Sequence, residues 1–169
     1  MEKTIEREDE SMQMDPFTRF HTDWALLTAG TGTHFNSMTI SWGSFGTVWG
    51  KDVVTVYVRP DRYTWQFLKE NEHFTVSFYP ESCREALSLM GSLSGRDGDK
   101  AAAAGLTPQA LPAGITYREA TETFVCKKIY MAPMAYEDVP PEAQRIYQNG
   151  IRPHYIIMGE VVNHLNETA

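Results

Sequence analysis

The run Val53-Val54-Thr55-Val56-Tyr57-Val58, halted by Arg59-Pro60, constrains the fold more than any other stretch of this chain. β-Branched and aromatic side chains lose rotamer freedom in a helix and pack well on a pleated surface, so the run predicts a strand. Proline lacks a ladder donor and ends it. Further strands follow from apolar or period-two patterning at Trp24–Ala29, Asn36–Trp42, His73–Tyr79, Ile115–Ala120 paired with Thr123–Met131, and Tyr155–His164. Between them the sequence predicts turns at Gly30–Asn36 and Trp49–Asp52, and a linker over Leu106–Ala113 carrying Pro108 and Pro112. Short helices are predicted at Asp61–Glu70 (capped by Asp61), Cys83–Met90 (capped by Ser82), Ala101–Ala104 and from Pro140-Pro141 to Gln148. About six or seven strands interrupted by short helices argue for a mainly β barrel rather than a doubly wound parallel sheet. No GxGxxG follows a strand and opens a helix, so a dinucleotide fold of that kind has no support.

A chain of 169 residues fits one domain, here residues 15–169, preceded by a charged arm over residues 1–14. The formal charge of -7 disfavours general attraction to nucleic acid or to an anionic membrane, so any phosphate site must be local. There is no apolar run of about 18 residues, and the charged start EKTIEREDES lacks a secretory core, which leads to the expectation of a cytoplasmic protein. Cys83 and Cys126 sit in no metal or redox spacing and are expected as reduced thiols.

Two cationic stretches stand out against the acidic background. Arg59-Pro60-Asp61-Arg62-Tyr63-Thr64 gathers guanidiniums and hydroxyls at the start of a predicted helix, a place that suits phosphate. Ser92-Leu93-Ser94-Gly95-Arg96-Asp97-Gly98-Asp99-Lys100 is a glycine-bearing loop with hydroxyls and two cations that can wrap the same anion. The alternative is a solvated turn and a surface loop whose Arg96, Asp97, Asp99 and Lys100 pair among themselves. Along the strand Asn36–Trp42, Thr39, Ser41 and the neighbouring N–H groups offer donors to a planar heteroatom-rich ring, with Met38 and Trp42 as apolar surface. Trp42 serves equally as a core residue. The histidines show no metal spacing, and no paired-carboxylate or Ser/His/Asp pattern supports hydrolysis.

With these segments side by side, the sequence resembles the flavin reductase-like family, the FMN-binding split β-barrel proteins that include flavoredoxins. The likeness rests on Asn36–Gly43, Val56–Thr64 and Gly91–Lys100, in order and with matching spacing, and spans roughly residues 20 to 165. The resemblance implies a split barrel that dimerises with FMN near the subunit interface. Asn36, Met38, Thr39, Ser41 and Trp42 would line the flavin ring. Arg59, Tyr63, Thr64, Ser94, Gly95, Arg96 and Lys100 would surround the ribityl chain and phosphate, while Arg62, one helical step away, can face solvent. The implied activity is oxidoreduction from NADH or NADPH through FMN to free flavin, a ferric chelate or a partner protein. The alternative is a flavoredoxin-type carrier without its own nicotinamide site. Residues Glu137–Arg152 match the family loosely.

Overall fold

The computed structural model describes residues 14–166. In chain order its strands are β1 (Ala25–Thr31), β2 (His34–Ile40), β3 (Gly43–Val48), β4 (Lys51–Val58), β5 (His73–Phe78), β6 (Pro108–Leu111), β7 (Gly114–Tyr117), β8 (Glu122–Pro133) and β9 (Tyr155–Asn166). The helices are short: α1 (Pro16–His21), α2 (Thr64–Glu70), α3 (Arg84–Ser92), α4 (Lys100–Ala103) and α5 (Pro141–Gln144). Seven strands form one antiparallel sheet in the order β2-β1-β5-β8-β9-β4-β3, and β6 pairs with β7 as a separate ribbon.

The strand order itself requires the sheet to roll up. β2 and β3 lie at opposite edges, yet only Ser41 and Trp42 separate Ile40 from Gly43. Laid flat, those edges would stand roughly 29 Å apart at about 4.8 Å per strand spacing. Three Cα–Cα steps span at most about 11 Å, so the sheet curls until its edges meet at the Ser41-Trp42 joint. Register shifts between Val125 and Cys126 and between Lys128 and Tyr130 of β8 mark bulges, which add the bending such closure needs.

Burial follows the strand period. Ala25, Leu27 and Ala29 of β1 enter the main core with Val54, Val56, Phe74, Val76, Phe78, Phe124 and Ile157, while Leu26 faces a second cluster with Leu87, Met90, Leu106 and Tyr117. β1 is therefore buried on both faces, which explains its continuous apolar run, and each fully buried leucine there contributes roughly 1.5–3 kcal/mol. The second cluster binds α3, α4 and the β6–β7 ribbon to the outside of the barrel, the side on which the cationic stretches lie.

Several elements differ from the sequence expectation. The segment read as a linker is the β6–β7 hairpin: Pro108 begins β6 and Pro112 occupies the turn, positions where a missing N–H costs no ladder bond. β7 accordingly pairs with β6, and β8 pairs with β5 and β9 instead of with β7. The glycine turn is narrower than Gly30–Asn36, since β1 runs to Thr31 and β2 starts at His34. Trp49 and Gly50, with φ of 54° and 70°, form the tight β3–β4 turn, where glycine accepts the left-handed conformation without strain. α2 begins only at Thr64, because the Asp61 carboxylate is taken by Arg59 and does not cap it. No side chain caps the 3-10 turn Glu81–Cys83 that precedes α3, so Ser82 is not a cap either. The charged arm read over residues 1–14 lies outside the described residues except for Met14.

Candidate functional site

A cleft of about 220 Å³ forms where the end of β4, the start of α2, β2 and the α3–α4 loop converge. The chain leaves β4 at Val58 and folds through a turn closed by Arg62 N–H donating to the Arg59 carbonyl at 3.2 Å. This turn brings Arg59, Asp61, Arg62 and Tyr63 to the cleft, and α2 adds Thr64. β2 supplies Asn36 and Met38, the loop supplies Ser94, Gly95 and Arg96, and α4 opens with Lys100. Nine of the residues expected around a flavin thus meet in one place: Asn36, Met38, Arg59, Tyr63, Thr64, Ser94, Gly95, Arg96 and Lys100.

The contacts inside the cleft hold these groups in order. Asn36 Nδ2 donates to Thr64 Oγ1 at 2.8 Å, joining β2 to the first turn of α2. Ser94 Oγ accepts from Arg96 N–H at 3.2 Å, and the Arg96 guanidinium lies 4.9 Å from the Tyr63 ring centroid, a cation–π contact. Arg59 forks onto the Asp61 carboxylate through Nε and Nη2, both at 3.0 Å. Lys100 is buried, and its Nζ donates to the carbonyls of Met90 at 3.0 Å and Leu93 at 3.2 Å. Burial, reinforced by the Arg62 charge, lowers the Lys100 ammonium to about 8. Arg62 is likewise held below its ordinary value by burial and by Arg59, and its Nη2 reaches the Gly91 carbonyl at 3.2 Å.

Four cations and one carboxylate line the cleft of a chain whose formal charge is -7, so positive charge is concentrated here against the overall balance. Cations, hydroxyls and a glycine-lined wall are the donor set that a phosphate ester takes. The glycine is essential to the shape: a β-carbon at Gly95 would lie 2.9 Å from both Asn36 Cγ and Tyr63 Cδ1. A neighbouring cavity of about 550 Å³ shares Asn36, Tyr63, Gly95 and Lys100 with the cleft and extends past His34, Phe67 and Tyr117.

The remaining three expected residues lie elsewhere on β2 and its joint. Thr39 Oγ1 donates to the Leu87 carbonyl and packs against Gly91, anchoring α3. Ser41 and Trp42 line a separate groove of about 290 Å³ with Phe17, Phe20, Tyr57 and Met134. The Trp42 indole packs against His154 at a centroid distance of 4.6 Å with the rings tilted by 38°, and His154 Nδ1 pairs with Tyr147 Oη at 2.7 Å. Burial, with Arg59 adding to it, lowers His154 to about 4, so the imidazole under Trp42 is neutral at neutral pH. Sequence reasoning named Arg62 in the cationic stretch but let it face solvent, whereas it lines the cleft, and it left out the Tyr147–His154 pair. The second arginine of Arg-Pro-Asp-Arg was a signal for the first, whereas nothing local marks the second.

The fold and site together are an antiparallel barrel with a cationic cleft at a strand-to-helix turn, a donor set suited to a phosphate ester. The chain belongs to the family described by the flavin reductase like domain, whose model matches residues 17–168. A search of curated protein sequences finds no match. Among solved structures, flavoredoxin of Desulfovibrio vulgaris (Miyazaki F) is similar at 18% identity and a TM-score of 0.67, covering 99% of this chain and 77% of that one. The FMN-binding protein from Thermus thermophilus with bound p-hydroxybenzaldehyde is 18% identical with a TM-score of 0.69, covering 95% and 82%. The NADH:FAD oxidoreductase of Streptomyces globisporus C-1027, in complex with NAD and FAD fragments, is 15% identical with a TM-score of 0.64, covering 85% and 74%. At these identities the likeness is one of fold: a mainly β architecture with short helices, as in the split-barrel flavin reductase-like proteins. No helix among the described residues is long and apolar enough to cross a membrane.

Proposed function

We propose that the chain binds FMN, with its phosphate in the cationic cleft, and works as an oxidoreductase that passes electrons from NADH or NADPH to free flavin, a ferric chelate or a partner protein. The observation that carries this reading is the convergence of Arg59, Arg62, Arg96 and Lys100 from two segments on a wall built by Asn36, Thr64 and Gly95. When bound, FMN supplies the redox chemistry, and the protein supplies binding, orientation and electrostatics.

Arg59 and Arg96 offer charge-assisted donors to the phosphate; each is held by a partner, Asp61 or the Tyr63 ring, that fixes its head at little entropic cost. The Asn36 amide, oriented by Thr64, and the Ser94 hydroxyl present further polar groups along the cleft. Met38, on the cleft's β2 wall, gives apolar surface to the ring system. The family and the Streptomyces neighbour with its NAD fragment support the nicotinamide donor. We place the flavin beside the interface of a homodimer, since Phe17 at 84% exposure and Trp42 at 40% leave apolar surface beside the Ser41-Trp42 joint for a second copy to cover.

Flavin absorption of the purified protein, followed by anaerobic addition of NADH or NADPH, tests the reading. Bleaching by a nicotinamide and recovery with an acceptor is the expected result. A flavin-loaded protein that neither nicotinamide bleaches would instead be the flavoredoxin-type carrier that the sequence resemblance also allows. A protein that takes up no flavin contradicts both.

A further inference from the structure

The carbonyl end of α3 faces the cleft, where Gly91, Ser92 and Leu93 form part of the wall. The last carbonyls of a helix lack intrahelical partners and carry about half a negative charge. That pole is unfavourable next to an anion. Here the exposed carbonyls are taken by cations: Met90 and Leu93 accept from Lys100 Nζ, and Gly91 accepts from Arg62 Nη2. Two of the three donors that a lysine ammonium owns are thereby committed to backbone. The side chain is only 7% exposed. Arg59 and Arg96, by contrast, bind only side-chain partners at the cleft's rim.

Resting on the phosphate reading of the cleft, we infer that Lys100 and Arg62 are positioning residues: they clamp the carbonyl end of α3 and offset its negative pole, leaving Arg59 and Arg96 to meet the phosphate. The clamp also holds the loop that follows. Leu93 leads directly into Ser94, Gly95 and Arg96, so fixing its carbonyl keeps Gly95 against the Asn36 carboxamide and Arg96 over Tyr63.

The clamp is sensitive to pH. Burial and Arg62 lower the Lys100 ammonium from 10.5 to about 8, so between those values the opened clamp binds more protons than the closed one and rising pH favours the closed form, in which a neutral amine still donates to the α3 carbonyls. The titratable and charged groups around Lys100 are Arg59, Asp61, Arg62 and Tyr63 of the β4–α2 turn, Arg96 and Asp99 of its own loop, His34 of β2 and Tyr117 of β7. Of these, Tyr117 is pushed up to about 12 by burial, outside the range in which Lys100 changes charge.

Amide hydrogen exchange of ligand-free protein and FMN titrations, run on wild type, Lys100→Arg and Lys100→Met from about pH 7.5 to about pH 9.5, test the inference. After correction for intrinsic rates, wild type is expected to gain protection at Gly91–Arg96 by about tenfold across the range. Lys100→Arg stays protected throughout, Lys100→Met is unprotected throughout, and FMN affinity follows the same order, about tenfold weaker in Lys100→Met at the lower pH. Ligand-free Lys100→Met that exchanges like wild type while binding FMN more weakly would make Lys100 a phosphate ligand and overturn the clamp. Loss of protection in Lys100→Met together with no FMN binding by any form would keep the clamp and remove the phosphate reading. Should Lys100→Met fail to fold, wild-type protection that stays flat or falls as pH rises overturns the inference by itself.

Discussion

Gly95 packs its backbone directly against the Asn36 carboxamide, with no room for a β-carbon between them. The contact joins the α3–α4 loop to β2, and Asn36 in turn reaches Thr64 at the start of α2. One glycine therefore sets the spacing of all three walls of the cleft. Gly95→Ala must displace either the loop or the amide, at a cost of about 1–3 kcal/mol for such overpacking. Since the loop can swing outward more easily than the core strand can move, the expected outcome is FMN affinity weakened by about tenfold or more with a smaller change in melting temperature. Fluorescence titration with FMN beside a thermal melt reads both.

Arg59 and Arg96 are the cations with heads free of backbone partners. Replacing both with alanine is expected to weaken FMN binding by about 3–6 kcal/mol, given about 1.5–3 kcal/mol for each hydrogen bond to a charged group. Replacing exposed Lys69 of α2, which lies outside the cleft, should change it by less than about 0.5 kcal/mol. Isothermal titration of the two variants at one salt concentration checks the difference.

Much of this arrangement was legible in the sequence because its determinants are local. Val53–Val58 declares its strand through β-branching, and the two cationic stretches declare themselves against an acidic chain. β3 was not legible as a separate strand: Gly43, Ser44 and Gly46 have low strand propensity, and its half-exposed ladder exists only because β4 pairs with it. The same pairing turns Ser41-Trp42 from part of a continuous strand into a joint between the sheet's two edges, which carries Trp42 away from the cleft and onto His154. β6 was hidden because proline argues against strand except at the first residue of an edge, which is where Pro108 stands. For Lys100 the charge was legible but its burial against α3 was not, because that depends on contact between segments.

The half-buried imidazole beside Trp42 predicts a pH-dependent stability. His154 is lowered to about 4 by burial and by Arg59, so between its unfolded value of about 6.5 and that folded value the unfolded chain binds more protons. Stability attributable to His154 is present above that window and lost as pH falls through it. His154→Phe keeps an aromatic face under Trp42 and removes the titration. Urea unfolding of both forms between about pH 6.5 and about pH 4 should therefore show wild type losing stability relative to the variant.

At the far end of β8, the buried Glu122 carboxylate accepts from Arg19 of α1 and, at 2.9 Å, from His164 Nε2 of β9. Burial alone would raise this carboxyl, but the hydrogen bonds from His164 and Arg19 hold it below its ordinary value. The Arg19 guanidinium also lies 4.1 Å from the Phe78 ring centroid, so it is enclosed on two sides. Glu122→Ala leaves that cation without its main partner and should destabilise the fold by about 3 kcal/mol. Because the lost contact anchors α1, limited proteolysis near Pro16–His21 should accelerate in the variant.

The affinity of the protein for FMN compared with riboflavin, which differs by the phosphate alone, tests the cleft assignment most directly. If the cleft holds that phosphate, FMN binds at least about 100-fold more tightly, and the Arg59→Ala/Arg96→Ala variant loses most of the gap. Equal affinity for the two flavins, or a gap unchanged in the double variant, would contradict it.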